Sequence, residues 1–206
     1  MLGRLIASIS SIASTALSIA NSVSLIVSAI EVVTSVIMSV CKELGLIENQ
    51  NIESEQLGEK ALAAEQVGIV PEKFERYEDY VKDIEKFEAD KMKLNDWTKE
   101  EKEQRGMELT IGLLLEKFGS VVVEVINEVA KRPEFFNTER TQLYLEKASS
   151  NEIDMKEVTS YLDGQTKGLE KMNLINDKMV NIEKIINPEL TPNEVQRIIN
   201  LQKTTV

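Results

Sequence analysis

The sequence contains no histidine and a single cysteine, and both shortages restrict the chemistry available to the protein. Histidine is the commonest general base of enzymes and the usual zinc and non-haem iron ligand, so its absence disfavours hydrolytic and metal-dependent catalysis. One cysteine, Cys41, cannot form an intrachain disulfide or a cysteine-rich metal site. We interpret Cys41 as a small buried apolar residue rather than a reactive thiol.

Glycine, proline and aromatic residues are also scarce, with nine glycines, four prolines and 5% aromatics. This composition favours helices over sandwiches or barrels. The chain has no glycine-rich nucleotide-binding pattern and no EF-hand spacing among its acids. Acidic clusters such as residues 100–103 are typical of an exposed helix face rather than of a catalytic carboxylate pair. We therefore predict that the protein is not an enzyme and has no catalytic, cofactor-binding or metal site.

The first forty-four residues, in contrast, carry aliphatic side chains at heptad spacing. A 3-4 spacing sustained over six heptads is typical of a coiled coil, and β-branched residues at both a and d favour three or more strands. We predict that residues 1–46 form one hydrophobic helix that associates in three or more copies. The predicted oligomerisation seam consists of Leu2, Leu5, Ile9, Ile12, Ile19, Val23, Ile26, Ile30, Val33, Ile37, Val40 and Leu44.

The other positions of this segment are mostly serine, alanine and valine, and Arg4 and Glu31 are the only charges before Cys41. An uncharged helix of this length needs a cover of protein or lipid. Three interpretations stay open: a buried core helix, an oligomeric coiled coil, and a membrane segment over residues 5–41. Glu31 opposes the membrane segment, because a carboxylate at mid-span costs about 2.5–3.5 kcal/mol.

The net charge of −11 is distributed unevenly along the chain. Residues 1–45 carry two charges of each sign, so the whole excess of negative charge lies in residues 46–206. An acidic body repels a phosphate backbone, which argues against nucleic-acid binding. We expect a linker with a short helix over residues 47–70 and an acidic helical body over residues 71–206.

Local signals divide the body into six or seven helices of a bundle. Thr98 with Glu101 and Thr191 with Glu194 have the spacing of capping boxes, which start helices. Length and periodicity favour a single helix from Thr98 to Arg132, although Gly119 leaves two helices open as an alternative. The predicted helices span residues 54–66, 71–90, 98–132, 138–145, 151–164 and 169–186, with a last helix from Thr191.

Four aromatic residues lie close together in the sequence, at Tyr77, Tyr80, Phe87 and Trp97. Aromatic side chains are enriched at binding hot spots, so these four are candidate docking residues. The alternative is structural, because Tyr77, Tyr80 and Phe87 also belong to the apolar stripe of the helix predicted over residues 71–90. Trp97 is placed to staple the helix that starts at Thr98.

A histidine-free chain with a Ser/Ala/Ile/Val heptad arm over Leu2–Leu44 and a charged helical body resembles small helical virion or tail-associated proteins of bacteriophages and contractile injection systems. The resemblance rests on composition and on the arm, and no diagnostic motif accompanies it. It implies a structural subunit located in a virion or injection particle, where it fills a tail tube like a tape measure or organises a baseplate or connector. Its partners would be copies of itself and other subunits of the assembly.

Two further interpretations come from other classes of protein. The first is a membrane-active helical protein, pore-forming or holin-like, which inserts residues 5–41 into lipid and keeps its acidic body in water. The second is a helical adaptor whose N-terminal helix is part of its own core. These interpretations place the protein at a membrane or in the cytoplasm, respectively.

Overall fold

The computed structural model describes the backbone of residues 2–23, 27–88 and 97–203, and their side chains apart from residues 2–7, 19–23 and 27–30. These described residues form ten α-helices, one 3₁₀ turn and no strand, which confirms the predicted all-α fold. The α-helices are α1 (Leu2–Val23), α2 (Val27–Glu43), α3 (Ser54–Gln66), α4 (Tyr77–Lys86), α5 (Lys99–Phe118), α6 (Val121–Lys131), α7 (Thr138–Ser149), α8 (Met155–Leu162), α9 (Leu169–Ile186) and α10 (Pro192–Leu201), and the 3₁₀ turn is Pro71–Lys73.

The predicted helix starts at Thr98 and Thr191 are confirmed. The Thr98 hydroxyl accepts a bond of 3.1 Å from the Glu101 N–H, and the Glu101 carboxylate accepts one of 2.7 Å from the Thr98 N–H. Thr191 and Glu194 form the same reciprocal pair. Each box satisfies N–H groups that the first turn of a helix leaves without partners, so these starts are determined locally.

Two predicted helices are each divided in the structure. The segment 71–90, as far as it is described, contains the 3₁₀ turn and then α4, because the Glu116 carboxylate accepts bonds of 2.8 and 2.9 Å from the Tyr77 and Glu78 N–H groups. For residues 98–132, of the two alternatives left open, the one with two helices is correct. Gly119 adopts a φ of 75° after α5 and so separates it from α6. The described residues from 54 onward therefore form eight α-helices, seven of which lie within residues 71–203.

Helix α5 occupies the centre of the bundle. It packs against α1, α2, α3, α4, α6 and α7, and an unbroken run of buried residues extends along it from Leu109 to Leu115. Its most extensive contact is with α3, where Gly58 and Gly106 bring the two backbones together. One cluster of buried apolar residues extends from Ile9 in α1 to Ile199 in α10.

Helices α1 and α2 both contact the same turn of α5, so the prediction of one continuous N-terminal helix is wrong. The Ser14 hydroxyl donates to the Glu108 carboxylate at 3.1 Å, and the Thr34 hydroxyl lies 3.3 Å from the sulfur of Met107. Twenty residues of continuous helix would separate Ser14 from Thr34 by about 30 Å, whereas their partners are adjacent in α5. The two helices therefore fold back on the body, and the coiled coil is not confirmed.

Candidate interaction surface

The inner face of α1 is attached to the body by a short set of small and aliphatic residues. Ile9, Ala13, Ala16 and Leu17 are buried, and α1 packs on α5, α6 and the 3₁₀ turn. Their spacing places them on one stripe of the helix. The two alanines have no bulk beyond Cβ, which allows the α1 backbone to approach its neighbours closely.

A polar layer lies beneath α1 beside these apolar contacts. Arg105 pairs with Glu108 at 2.9 Å, and the same carboxylate accepts the bond from Ser14. The buried Ser10 and Tyr77 hydroxyls lie near each other, but neither makes a hydrogen bond of normal length and angle to a described group. Burial raises the pKa of the Tyr77 phenol well above its usual range. Part of the α1 contact therefore consists of unsatisfied polar groups, which weakens it.

We expect Tyr77→Phe to raise the free energy of unfolding by about 1 kcal/mol, because it removes a buried hydroxyl that has no partner. Tyr80→Phe is the matched control. Its hydroxyl lies 3.3 Å from the Arg105 guanidinium and accepts a hydrogen bond from it, so its loss is expected to lower stability by about 1 kcal/mol. Chemical denaturation of both variants measures the difference. Equal destabilisation by the two substitutions would show that the Tyr77 hydroxyl has a partner.

The outer face of α1 is exposed and carries no charge between residues 8 and 18. Ser11, Ile12, Thr15 and Ser18 are exposed on it, and Ile12 has 40% of its surface accessible. The Thr15 hydroxyl donates to the Ser11 carbonyl at 2.9 Å, so it is satisfied within its own helix. This face, which we call the α1 outer face, presents methyl groups and small hydroxyls to its surroundings.

The predicted seam is divided between the core and the surface. Ile9, Val33, Ile37 and Val40 are buried against the chain's own body, and Leu44 is half-buried. Ile12 is exposed at the surface. The remaining seam side chains lie outside the described residues; they are Leu2, Leu5, Ile19, Val23, Ile26 and Ile30. The heptad pattern thus supplies intramolecular packing at most of its described positions, while oligomerisation stays a prediction.

The aromatic docking prediction is wrong for two of its four residues. Tyr77 and Tyr80 are fully buried, with ring centroids 5.7 Å apart in an edge-on arrangement, so they are core residues. The Tyr77 ring fills the space beside Gly112, where an added Cβ would come within 2.3 Å of it. Phe87 and Trp97 are half-buried. In this chain, aromatic residues at 3-4 spacing on a charged helix therefore indicate packing in the core.

Cys41 is fully buried in α2, which confirms its interpretation as a small apolar core residue. Its thiol lies 3.5 Å from the Thr110 carbonyl oxygen of α5. Burial raises the pKa of the thiol far above its usual range, so it stays protonated and unreactive at neutral pH.

A surface cleft of about 590 Å³ lies where the C-terminal ends of α6, α8 and α10 meet. Lys131 and Arg132 bind the Asp163 carboxylate at 2.9 and 2.6 Å, and Arg132 also donates to the Gln202 carbonyl at 3.0 Å. The third cation, Lys203, lies 4.2 Å above the Tyr161 ring. Cations at helix C-termini offset the helix dipoles, so this cluster has a structural role. Within the described residues, no three Cys, Asp or Glu side chains are placed to hold a metal ion.

The sequence interpretation missed a second exposed apolar surface on α9 and α10. Leu169, Leu174, Ile185 and Leu201 are 73%, 55%, 57% and 75% exposed. Along α9, Ile175, Met179 and Ile182 are buried, whereas Leu169 lies outside the core. Leu174 and Ile185 are eleven residues apart in the sequence, which is close to three turns of an α-helix. This spacing was the signal in the sequence that the two side chains lie on the same outward face of α9.

Comparison with protein-family models, with curated proteins and with solved structures finds no match to this chain. None of the helices in the described segments is long and apolar enough to cross a bilayer.

Proposed function

We propose that the protein is a non-enzymatic structural subunit of a larger assembly, of the kind found in bacteriophage tails and contractile injection systems, and that the α1 outer face contacts other copies of the chain. The observation that carries the proposal is an exposed, uncharged helix face on which Ile12 is the exposed large apolar side chain among the described residues, on a chain of net charge −11. Such a subunit belongs in a virion or injection particle, where its neighbours are other proteins.

Electrostatics favours this face over the rest of the surface as a contact between copies. Acidic bodies repel one another, and the repulsion is smallest where uncharged surfaces meet. An exposed isoleucine flanked by small side chains also lets two helices approach closely and gains apolar burial, at about 25 cal/mol per Å² removed from water. Serine hydroxyls that bond to their own helix need no partner in the contact.

The test is the solution mass of the full chain by light scattering over a range of concentrations. We expect a defined oligomer of at least three copies for the natural sequence and a folded monomer for Ile12→Glu, because a buried carboxylate without a partner opposes association. Leu201→Glu is the control, since Leu201 is 75% exposed on α10, which packs on α9.

Two outcomes would contradict the proposal. A natural chain that is monomeric at every concentration has no such contact. A chain that aggregates until mild detergent disperses it, and that then causes leakage of liposomes, supports the membrane-active alternative, for which the same uncharged face is the favouring observation.

A further inference from the structure

Among the side chains that the structure describes, those of α1 gain less from apolar burial on the body than those of α2. The buried residues of α1 include two large aliphatic side chains, Ile9 and Leu17, and two small ones, Ala13 and Ala16. Helix α2 buries six side chains larger than alanine, which are Val33, Val36, Ile37, Met38, Val40 and Cys41. Because the free energy of burial grows with the apolar area removed from water, the described part of α1 is the more weakly attached.

Buried polar groups weaken the contact beneath α1 further. The Ser10 and Tyr77 hydroxyls lie near each other across this contact, and neither makes a hydrogen bond of normal length and angle to a described group. Both would gain water if α1 moved away, so their burial favours an open state. In α2, by comparison, the Thr34 hydroxyl and the Cys41 thiol each lie within 3.5 Å of an acceptor on α5. The contact of α2 therefore satisfies these two groups, whereas that of α1 leaves two hydroxyls without a normal partner.

The docked position of α1 also withholds part of its heptad pattern. With Leu2 at position a, Ile9 and Ala16 are further a positions, and Ile12 is the d position between them. The helices of a coiled coil contact one another through a and d together. Ile9 and Ala16 are buried in the protein's own body, whereas Ile12 is exposed, so the docked helix does not offer all three positions to other copies.

We propose that α1 is a releasable helix, which leaves the body and thereby makes its a positions available to the same seam of other copies. Release transfers the Ser10 and Tyr77 hydroxyls to water and leaves the larger core around α2 and α5 intact. Ile9, Ile12 and Ala16 then form one stripe, as the seam of an assembly of helices requires. The use of the seam by other copies rests on the proposed function, whereas the release is a property of the single chain.

The reactivity of a thiol placed under α1 measures the release in the monomeric Ile12→Glu chain. Ser10→Cys is a nearly isosteric change that puts a thiol at the buried hydroxyl, and Cys41, buried in α2, is the reference within the same molecule. We expect the introduced thiol to react with an aromatic disulfide reagent about a hundredfold faster than Cys41, because local opening costs less free energy than opening of the core. Adding Tyr77→Phe should slow its reaction about fivefold, because the docked state then loses a hydroxyl without a normal partner.

Glu183→Gln separates the release from global unfolding, because it destabilises the contact between α7 and α9, whereas α1 packs mainly on α5, α6 and the 3₁₀ turn. We expect this substitution to accelerate the reaction of Cys41 by more than about a hundredfold and to leave that of the introduced thiol within about twofold. Equal rates for the two thiols in the parent, or equal acceleration of both by Glu183→Gln, would show that α1 leaves only when the whole protein unfolds. Hydrogen exchange in the unsubstituted chain is the second measurement, and backbone amides of residues 9–17 as protected as those of residues 33–41 would overturn the release as well.

The concentration dependence of the chain carrying Ser10→Cys alone tests the use of the seam. Ser10 is at heptad position b, outside the seam, so a thiol there becomes accessible when α1 joins other copies and stays buried when α1 remains docked. We expect its reaction to accelerate about tenfold as light scattering shows the chain to assemble, since association stabilises the released state. The chain that also carries Ile12→Glu is the control, with a rate independent of concentration.

The failure of the inference and that of the proposed function give different results. Assembly without acceleration of the thiol overturns the use of the seam, because the copies then bind α1 in its docked position. A chain that never assembles contradicts both the proposed function and the use of the seam, while the thiol rates in the monomer still decide the release.

Discussion

Replacing Gly106 by alanine is expected to lower the free energy of unfolding by about 3 kcal/mol. A Cβ at this position would lie 2.0 Å from the Ser54 carbonyl oxygen and 2.6 Å from its hydroxyl, so α3 and α5 must separate to accept it. Alanine gains about 1 kcal/mol over glycine in helix propensity, but the clash with backbone atoms outweighs this gain. Thermal denaturation should show a fall in Tm of roughly 9 °C.

Gln104→Ala is the matched control for this substitution, because it changes an exposed side chain of the same helix two residues earlier. Its effect is expected to stay within about 0.5 kcal/mol. Gly58→Ala tests the contact from the other side, where the added Cβ would lie 1.8 Å from the Lys102 carbonyl oxygen. A rise in Tm for either glycine variant would mean that the two helices do not touch at their backbones.

Glu183→Gln is expected to destabilise the protein by about 3–5 kcal/mol, because it leaves a buried arginine without its counter-charge. Glu183 has no exposed surface, and its two oxygens accept bonds of 2.7 Å each from the Arg140 Nε and Nη2 atoms. The guanidinium also donates to the Phe135 carbonyl and stacks 4.4 Å from the Phe135 ring centre. Urea denaturation of the variant at neutral pH measures the loss.

The double variant Arg140→Met with Glu183→Leu separates the loss of the pair from the cost of an unpaired charge. Apolar replacement of both partners is often neutral or stabilising, so this variant should recover most of the stability that Glu183→Gln loses. A loss in the double variant as large as that of Glu183→Gln would show that the pair itself supplies net stability. The pair ties α7 to α9 across forty-three residues of sequence.

Local sequence signals predicted the helical class and several helix boundaries correctly. Helix α3 spans Ser54–Gln66 as predicted and is followed by Gly68, whose φ is 80°. The capping boxes at Thr98 and Thr191 each satisfy backbone groups within four residues. Such features are readable because every partner lies within one helical turn.

Contacts between residues far apart in the sequence determined the helix break and the burial that these local signals did not predict. The break before α4 depends on the Glu116 carboxylate, which lies thirty-nine residues from Tyr77 in the sequence. The burial of Tyr77 depends on the space that Gly112 leaves beside its ring. A sequence pattern shows on which face of a helix a side chain lies, but it does not show what packs against that face. An apolar stripe that belongs to the core therefore has the same sequence pattern as one that binds a partner.

The N-terminal segment shows most directly which features follow from the sequence and which follow from tertiary contacts. Its sequence by itself determined a helical segment that is hydrophobic and almost free of charge, because aliphatic spacing and the scarcity of charged residues are local properties. It did not determine that this segment forms two helices instead of one. The tertiary structure decided that both helices pack against α5, which buries Ile9 and leaves Ile12 exposed. The physical reason is geometric: a helix packed on a body buries the stripe that faces it, and contacts some ninety residues away in the sequence, such as Ser14 with Glu108, select that stripe.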